Sequence, residues 1–160
     1  MDPVRASIGG GVAATIVLSV FLLGIDLLVD RPGLFVFTTF TSLCAIGGPP
    51  YCDLGSVASV LLTFVTFVAL FAVAWPLLFG GFTWALPGES GFVHGTVFGL
   101  ILWIGYAVGI VVGLDAGGIV GADLLLLQST LLGYLVYGLV LGGTYDQLAG
   151  HRTFMNGTPA

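Results

Sequence analysis

Asp26 is the residue whose type and position most directly suggest chemistry in this chain. It lies inside a long apolar run from about Ala6 to Val29 and is the one acid clearly placed within such a run. Carboxylates in membrane segments are rare and commonly bind protons or cations. Asp26 also lies within one turn of the predicted helix end, where it would reach interfacial water without any such function. Both interpretations stay open at the level of the sequence.

Hydroxyl and amide side chains at the ends of two other apolar runs are candidate partners for Asp26. Ser59 and Thr63 share one helical stripe at the start of the second run, and Gln128 lies at the start of the fourth. With four spans, all of these positions fall in the same outer third of the bilayer. We therefore expect an intramembrane polar cluster of Asp26, Ser59, Thr63 and Gln128. The alternative is that the hydroxyls bond to their own helix, four residues earlier, which needs no function.

Two cysteines flank a turn rich in glycine and proline. Cys44 and Cys52 have seven residues between them, which matches neither the CxxC of thiol oxidoreductases nor a zinc site. A disulfide that braces an extracytoplasmic loop, a redox pair, and two buried small side chains that never meet are the alternatives. His94, one turn into the third apolar run, is expected to be an interfacial hydrogen-bonding residue rather than a haem or metal ligand.

Familiar catalytic motifs are missing from the chain. It has no HExxH, no GxSxG and no phosphate-binding glycine loop. We therefore expect a non-enzymatic protein with no catalytic residues, no cofactor and no metal. The sequence has no lysine, and eight acidic residues face three arginines, so it offers no basic surface for nucleic acid.

The elements that would position these residues are membrane helices. The chain is 58% hydrophobic and 7% charged, and such a composition requires the bilayer as solvent. It predicts an all-α polytopic protein, one transmembrane bundle over 1–150, followed by a flexible tail at 151–160. The four predicted transmembrane helices lie at about 6–29, 56–79, 91–114 and 124–143. The apolar segment at 34–47 is short for a span, so we expect it to be interfacial or re-entrant, with a fifth spanning helix as the alternative.

The third predicted helix carries the clearest packing signal. Its glycines fall on one face at helical spacing, whereas branched apolar side chains occupy the other face. Glycine faces let a neighbouring helix approach closely in membranes. The expected packing residues are Gly95, Gly99, Gly105, Gly109 and Gly113.

The arginines indicate the orientation. Four spans place both termini on one side, which then carries Arg5 and Arg152 against Arg31 on the other. The excess of positive charge favours both termini in the cytoplasm of a multi-pass cell-membrane protein. The cysteine loop would then lie outside.

Three segments together carry a family resemblance. They are the turn LPGES at 86–90, HGTVFGLILW at 94–103 and LGYLVYGLVLG at 132–142, which follow a glycine-rich first helix. In these the chain resembles a family of uncharacterised four-helix membrane proteins from haloarchaea and bacteria, over most of its length except 30–55 and the tail. The resemblance implies no activity. It suggests an accessory subunit of a membrane complex, such as those that accompany terminal oxidases.

Two functions are therefore expected from the sequence. The first is a non-enzymatic helical-bundle subunit, or accessory component, that contacts the lipid bilayer and packs with other membrane subunits or with itself. The alternative is a small transporter or channel that uses Asp26 and the Ser/Thr stripes of the first two helices.

Overall fold

The protein is a bundle of long helices in a computed structural model that describes residues 2–28, 35, 37–53, 55–87, 90–117 and 124–150. Helix α1 runs over Pro3–Leu28, and a short α2 over Ser42–Gly47 follows a π turn at Phe37–Thr41. Three further helices complete the chain, namely α3 (Val57–Ala85), α4 (Gly91–Gly117) and α5 (Leu124–Ala149). The described part of the chain is helical and contains no strand, as the composition predicts.

Three of these helices are long and apolar enough to cross a membrane. They are α1, α3 and the described part of α4, and each contains an apolar window that is mostly unburied within the chain. These three match the first three predicted spans, and α5 overlaps the fourth. The predicted tail at 151–160 lies outside the described residues.

The backbones of α4 and α5 are in direct contact through glycines. A Cβ built on Gly95 would overlap the carbonyl oxygen of Gly138, and one on Gly91 would overlap that of Gly142. One turn further along α4, a Cβ on Gly99 would overlap the carbonyl oxygen of Tyr134. Residue numbers rise along one helix as they fall along the other, so the pair is antiparallel. Only a residue without a side chain permits this separation.

The glycine face predicted on α4 ends at Gly99. A Cβ on Gly105 would meet no atom within 4 Å, and one on Gly109 would lie 3.2 Å from the Ile46 side chain of α2. Within this chain no helix packs closely on Gly105, so the expected packing there stays a prediction that concerns a neighbouring subunit. Gly113 is in α4, but its surroundings lie outside the described residues.

Helix α1 packs against both α3 and α5 through two adjacent glycines. A Cβ on Gly10 would lie 3.2 Å from the Leu141 carbonyl oxygen of α5, and one on Gly11 would lie 2.6 Å from the Ala72 carbonyl oxygen of α3. The core between these helices includes Leu18 and Leu22, which are almost fully buried. Helix α5 thus lies between α1 and α4.

The hydrogen-bond pattern of helix α3 changes directly before its proline. A π turn covers Leu70–Ala74, directly before Trp75 and Pro76, and the Trp75 N–H donates to the Leu70 carbonyl five residues earlier. Single π turns inside α-helices are commonly local insertions at functional or strained positions.

The segment predicted to be interfacial or re-entrant contains the π turn and α2. Its described helical portion, Phe37–Thr41 and Ser42–Gly47, packs against α3 and α4. Together they are too short to cross a bilayer.

Candidate functional site

A pocket of about 330 Å³ lies between α2, α3, α4 and α5. Its volume is at the lower end of the range for ligand pockets, roughly 300–1,000 Å³. The walls are apolar and rich in aromatic side chains. The lining residues are Thr38, Leu43, Ile46, Phe67, Leu70, Phe71, Trp75, Ile101, Leu102, Gly105, Tyr106 and Tyr134.

The pocket opens sideways between α2 and α4. Ile46 and Ile101 line it and are each more than half exposed. Gly105 lies beside them on α4, and the space next to its Cα is open. Since α4 is apolar enough to span a membrane, this opening would face hydrocarbon in a bilayer. Gly105 therefore leaves this side of the pocket open.

Four aromatic rings form a continuous wall inside the pocket. Phe67 and Phe71 have ring centroids 4.7 Å apart, Phe71 and Tyr134 5.8 Å, and Tyr134 and Tyr106 5.3 Å. All four rings are buried and tilted against one another. These separations lie in the range that aromatic pairs favour. The rings of this wall come from three different helices, α3, α4 and α5, so the packing of these helices sets their positions.

The Tyr106 hydroxyl is a polar group of this wall. The residue is 8% exposed, and its hydroxyl faces the Thr38 side chain. No hydrogen bond of standard geometry joins the Tyr106 oxygen to a described residue. A buried hydroxyl without a well-formed bond in an apolar site is costly, so a ligand that accepts its proton would be favoured.

Two bonds hold the wall that α2 contributes. The Phe35 N–H donates to the Asp26 carboxylate at 3.0 Å, which anchors the start of the segment to the end of α1. A disulfide joins Cys44 and Cys52, with their Cα atoms 4.7 Å apart, so the end of α2 is tied to the turn that follows. Leu43 and Ile46 lie between these anchors and face the pocket.

Asp26 has a backbone partner, and the predicted cluster around it stays a prediction. Its carboxylate accepts from the backbone of the next segment, nine residues along the chain. Of the other predicted members, the Thr63 hydroxyl donates to the Ser59 backbone carbonyl at 2.7 Å. This is the bond to the same helix that the sequence left open as the alternative. Gln128 is exposed on α5.

A buried hydrogen bond from α5 satisfies a carbonyl that the π turn and the proline of α3 leave without a backbone donor. In a π turn the Phe71 carbonyl would accept from the residue five positions later, which is Pro76, and proline has no N–H. The Tyr137 hydroxyl of α5 donates to this carbonyl at 2.6 Å, and its side chain is fully buried. Backbone groups within a bilayer must find partners inside the protein. Tyr137 therefore replaces the missing donor.

Asp146 is a charged residue that the sequence analysis did not select. Its carboxylate accepts from the Gly91 N–H at 3.4 Å, at the first turn of α4. An acid at a helix N-terminus is favoured by the helix dipole. The signal available in the sequence was an acid just beyond the apolar part of the last helix, but the partner helix could not be read from it.

The comparisons with known proteins identify a family. The model of a family of unknown function, DUF6789, matches residues 1–156. The chain belongs to this family. Neither a curated protein nor a solved structure matches it. The resemblance to an uncharacterised family is therefore shown over the whole bundle, and function has to be argued from the site.

Proposed function

We propose that the protein is a non-enzymatic, four-span integral membrane protein that serves as a helical-bundle component of a larger membrane complex. The observation that carries this proposal is that its polar side chains form hydrogen bonds with backbone groups of the same chain. Asp26, Tyr137 and Asp146 each bond to the backbone of another element, and Thr63 bonds to the backbone of its own helix. Groups committed in this way support binding and assembly rather than proton transfer or ion exchange.

The outward faces of the bundle support the same proposal. Three helices expose large apolar side chains at helical spacing, which include Ile16, Val20 and Leu23 on α1, Leu61, Val65 and Val68 on α3, and Ile101, Ile104 and Val108 on α4. Lipid covers such faces by default in a membrane. A subunit of a complex would bury one of the three against a neighbour.

Helix α5 is the fourth span in this proposal. It is 26 residues long, and its glycines pack against the span α4. Both termini then lie on the side that carries Arg5 and Arg152, which the positive-inside rule assigns to the cytoplasm. The disulfide supports this orientation, because disulfides persist in oxidising extracytoplasmic compartments.

Photocrosslinking in the native membrane tests the proposal. A photoreactive amino acid replaces Val20, Val65 or Ile104, one on each outward face, and Phe79 serves as the matched control because it is fully buried. We expect one face to give a protein adduct of defined mass, the other two to give lipid adducts, and position 79 to react within the chain. Lipid adducts at all three faces would contradict the proposal.

A further inference from the structure

The pocket between α2, α3, α4 and α5 has to select its ligand against a background of lipid. Its opening beside Ile46 and Ile101 faces hydrocarbon, so an acyl chain is always available to enter. Lipid tails are as apolar as leucine, and moving one from the bilayer into an apolar pocket yields no hydrophobic gain. A ligand that binds selectively must therefore make interactions with the pocket that a lipid tail cannot make.

The wall offers two such interactions. The first is the Tyr106 hydroxyl, which is buried and has no hydrogen bond of standard geometry among the described residues. A ligand oxygen that accepts from it would remove an unfavourable buried donor. The second is the run of rings at Phe67, Phe71 and Tyr134, which favours another flat ring in offset or edge contact over a flexible chain.

We propose that this pocket binds a membrane-soluble ring that carries a carbonyl oxygen, a molecule of the alkyl-quinone class. The Tyr106 hydroxyl donates to the ring carbonyl, the aromatic wall contacts the ring, and the alkyl tail leaves between α2 and α4 into the bilayer. A volume of about 330 Å³ suits the ring and the start of its tail, with the rest of the molecule outside. The proposal concerns binding alone and is independent of assembly into a complex.

Two further features of the pocket are specific enough to be tested. The absence of a side chain at Gly105 keeps the opening clear, and a Cβ there meets no atom within 4 Å. A larger residue at this position would therefore fill the pocket without disturbing α4. Trp75 lines the pocket, whereas Trp84 lies on the outside of α3 and is 61% exposed. Trp75 can therefore report occupancy through its fluorescence.

The experiment measures quenching of tryptophan fluorescence by a short-chain alkyl benzoquinone, with the protein in nanodiscs of a phosphatidylcholine. We expect saturable quenching that is lost in Trp75→Phe and kept in Trp84→Phe and in Trp103→Phe, because neither Trp84 nor Trp103 lines the pocket. Tyr106→Phe, which removes one hydrogen bond, should weaken binding by about tenfold. Gly105→Leu should abolish it, whereas Gly81→Leu should not, since Gly81 is a second glycine with open space around it on α3.

Two competitors test whether the pocket recognises the ring and its carbonyl together or is filled by any apolar molecule. An alkylbenzene keeps the ring without the carbonyl, and a methyl ester of a fatty acid keeps the carbonyl without the ring. We expect neither to displace the quinone at matched concentration. Recovery of the quenched fluorescence on addition of the ester would overturn the proposal in favour of an acyl-chain pocket. Quenching that does not saturate, or that persists equally in Gly105→Leu and Tyr106→Phe, would overturn it outright.

Discussion

Gly95 on α4 and Gly138 on α5 are in backbone contact, and a methyl group on either would overlap the carbonyl oxygen of the other. This relationship fixes where the two helices cross. It also fixes the neighbouring contacts of Gly91 with Gly142 and of Gly99 with Tyr134. Because Tyr134 belongs to the aromatic wall, the glycine contact positions one side of the pocket.

Gly95→Ala should destabilise the bundle. The new methyl group would meet backbone, which cannot rotate away, so α4 and α5 must separate at a cost of about 1–3 kcal/mol. Gly81→Ala is the matched control, since a Cβ there meets nothing within 4 Å, and its effect should stay within about 0.5 kcal/mol. Unfolding in detergent micelles measures both variants. Equal stability of the two would show that the close contact does not hold the helices.

Tyr137→Phe should cost stability only while Pro76 is present. The variant leaves the Phe71 carbonyl without its donor in an apolar interior, which costs about 1–3 kcal/mol. Pro76→Ala restores a backbone N–H that can bond to this carbonyl. The cost of Tyr137→Phe should therefore shrink in the Pro76→Ala background, as measured by a double-mutant cycle. Strict additivity of the two substitutions would count against the proposed replacement of the donor.

Asp26→Asn should fold with little change, whereas Asp26→Leu should loosen the segment that follows α1. Asparagine keeps an oxygen that accepts from the Phe35 N–H, and leucine does not. Hydrogen exchange of residues 37–47 measures the effect, and we expect faster exchange in the leucine variant alone. A liposome flux that Asp26→Asn abolishes would instead favour the transporter alternative.

The cysteines should be unreactive in intact cells until a reductant is added. Cys44 and Cys52 are paired, so a membrane-impermeant maleimide should label neither before reduction and both after it. Cys44→Ser combined with Cys52→Ser removes a short loop constraint and should lower stability by about 2–3 kcal/mol in the chain-entropy account. Labelling only after the membrane is permeabilised would place the loop on the cytoplasmic side.

Much of the fold could be predicted from apolar length and glycine spacing. Three spans follow from runs that only a bilayer can accommodate. The contacts of Gly95 and Gly99 follow from their position on one helical face. Gly105 lies six residues beyond Gly99, so it is on another side of α4 and lines the pocket. Which sides of α4 are covered depends on the partner helices. A one-helix pattern does not contain that information.

The pocket could not be predicted, because its residues come from distant parts of the chain. Tyr106, Tyr134 and Phe71 converge only when α4, α5 and α3 are packed together. One signal was nevertheless available in the sequence. Pro76 in the middle of an apolar helix requires that another residue satisfy a carbonyl, and Tyr137 on a buried face was a candidate donor.

Native mass spectrometry of the protein, gently extracted from its own membrane, tests the proposed role most directly. The account predicts a stable assembly in which this chain, of 16.5 kDa, is bound to other membrane subunits or to further copies of itself. The same particle should survive with Asp26→Asn, because that residue holds local structure. A monomer released from the native membrane, with only lipid bound, would contradict the account.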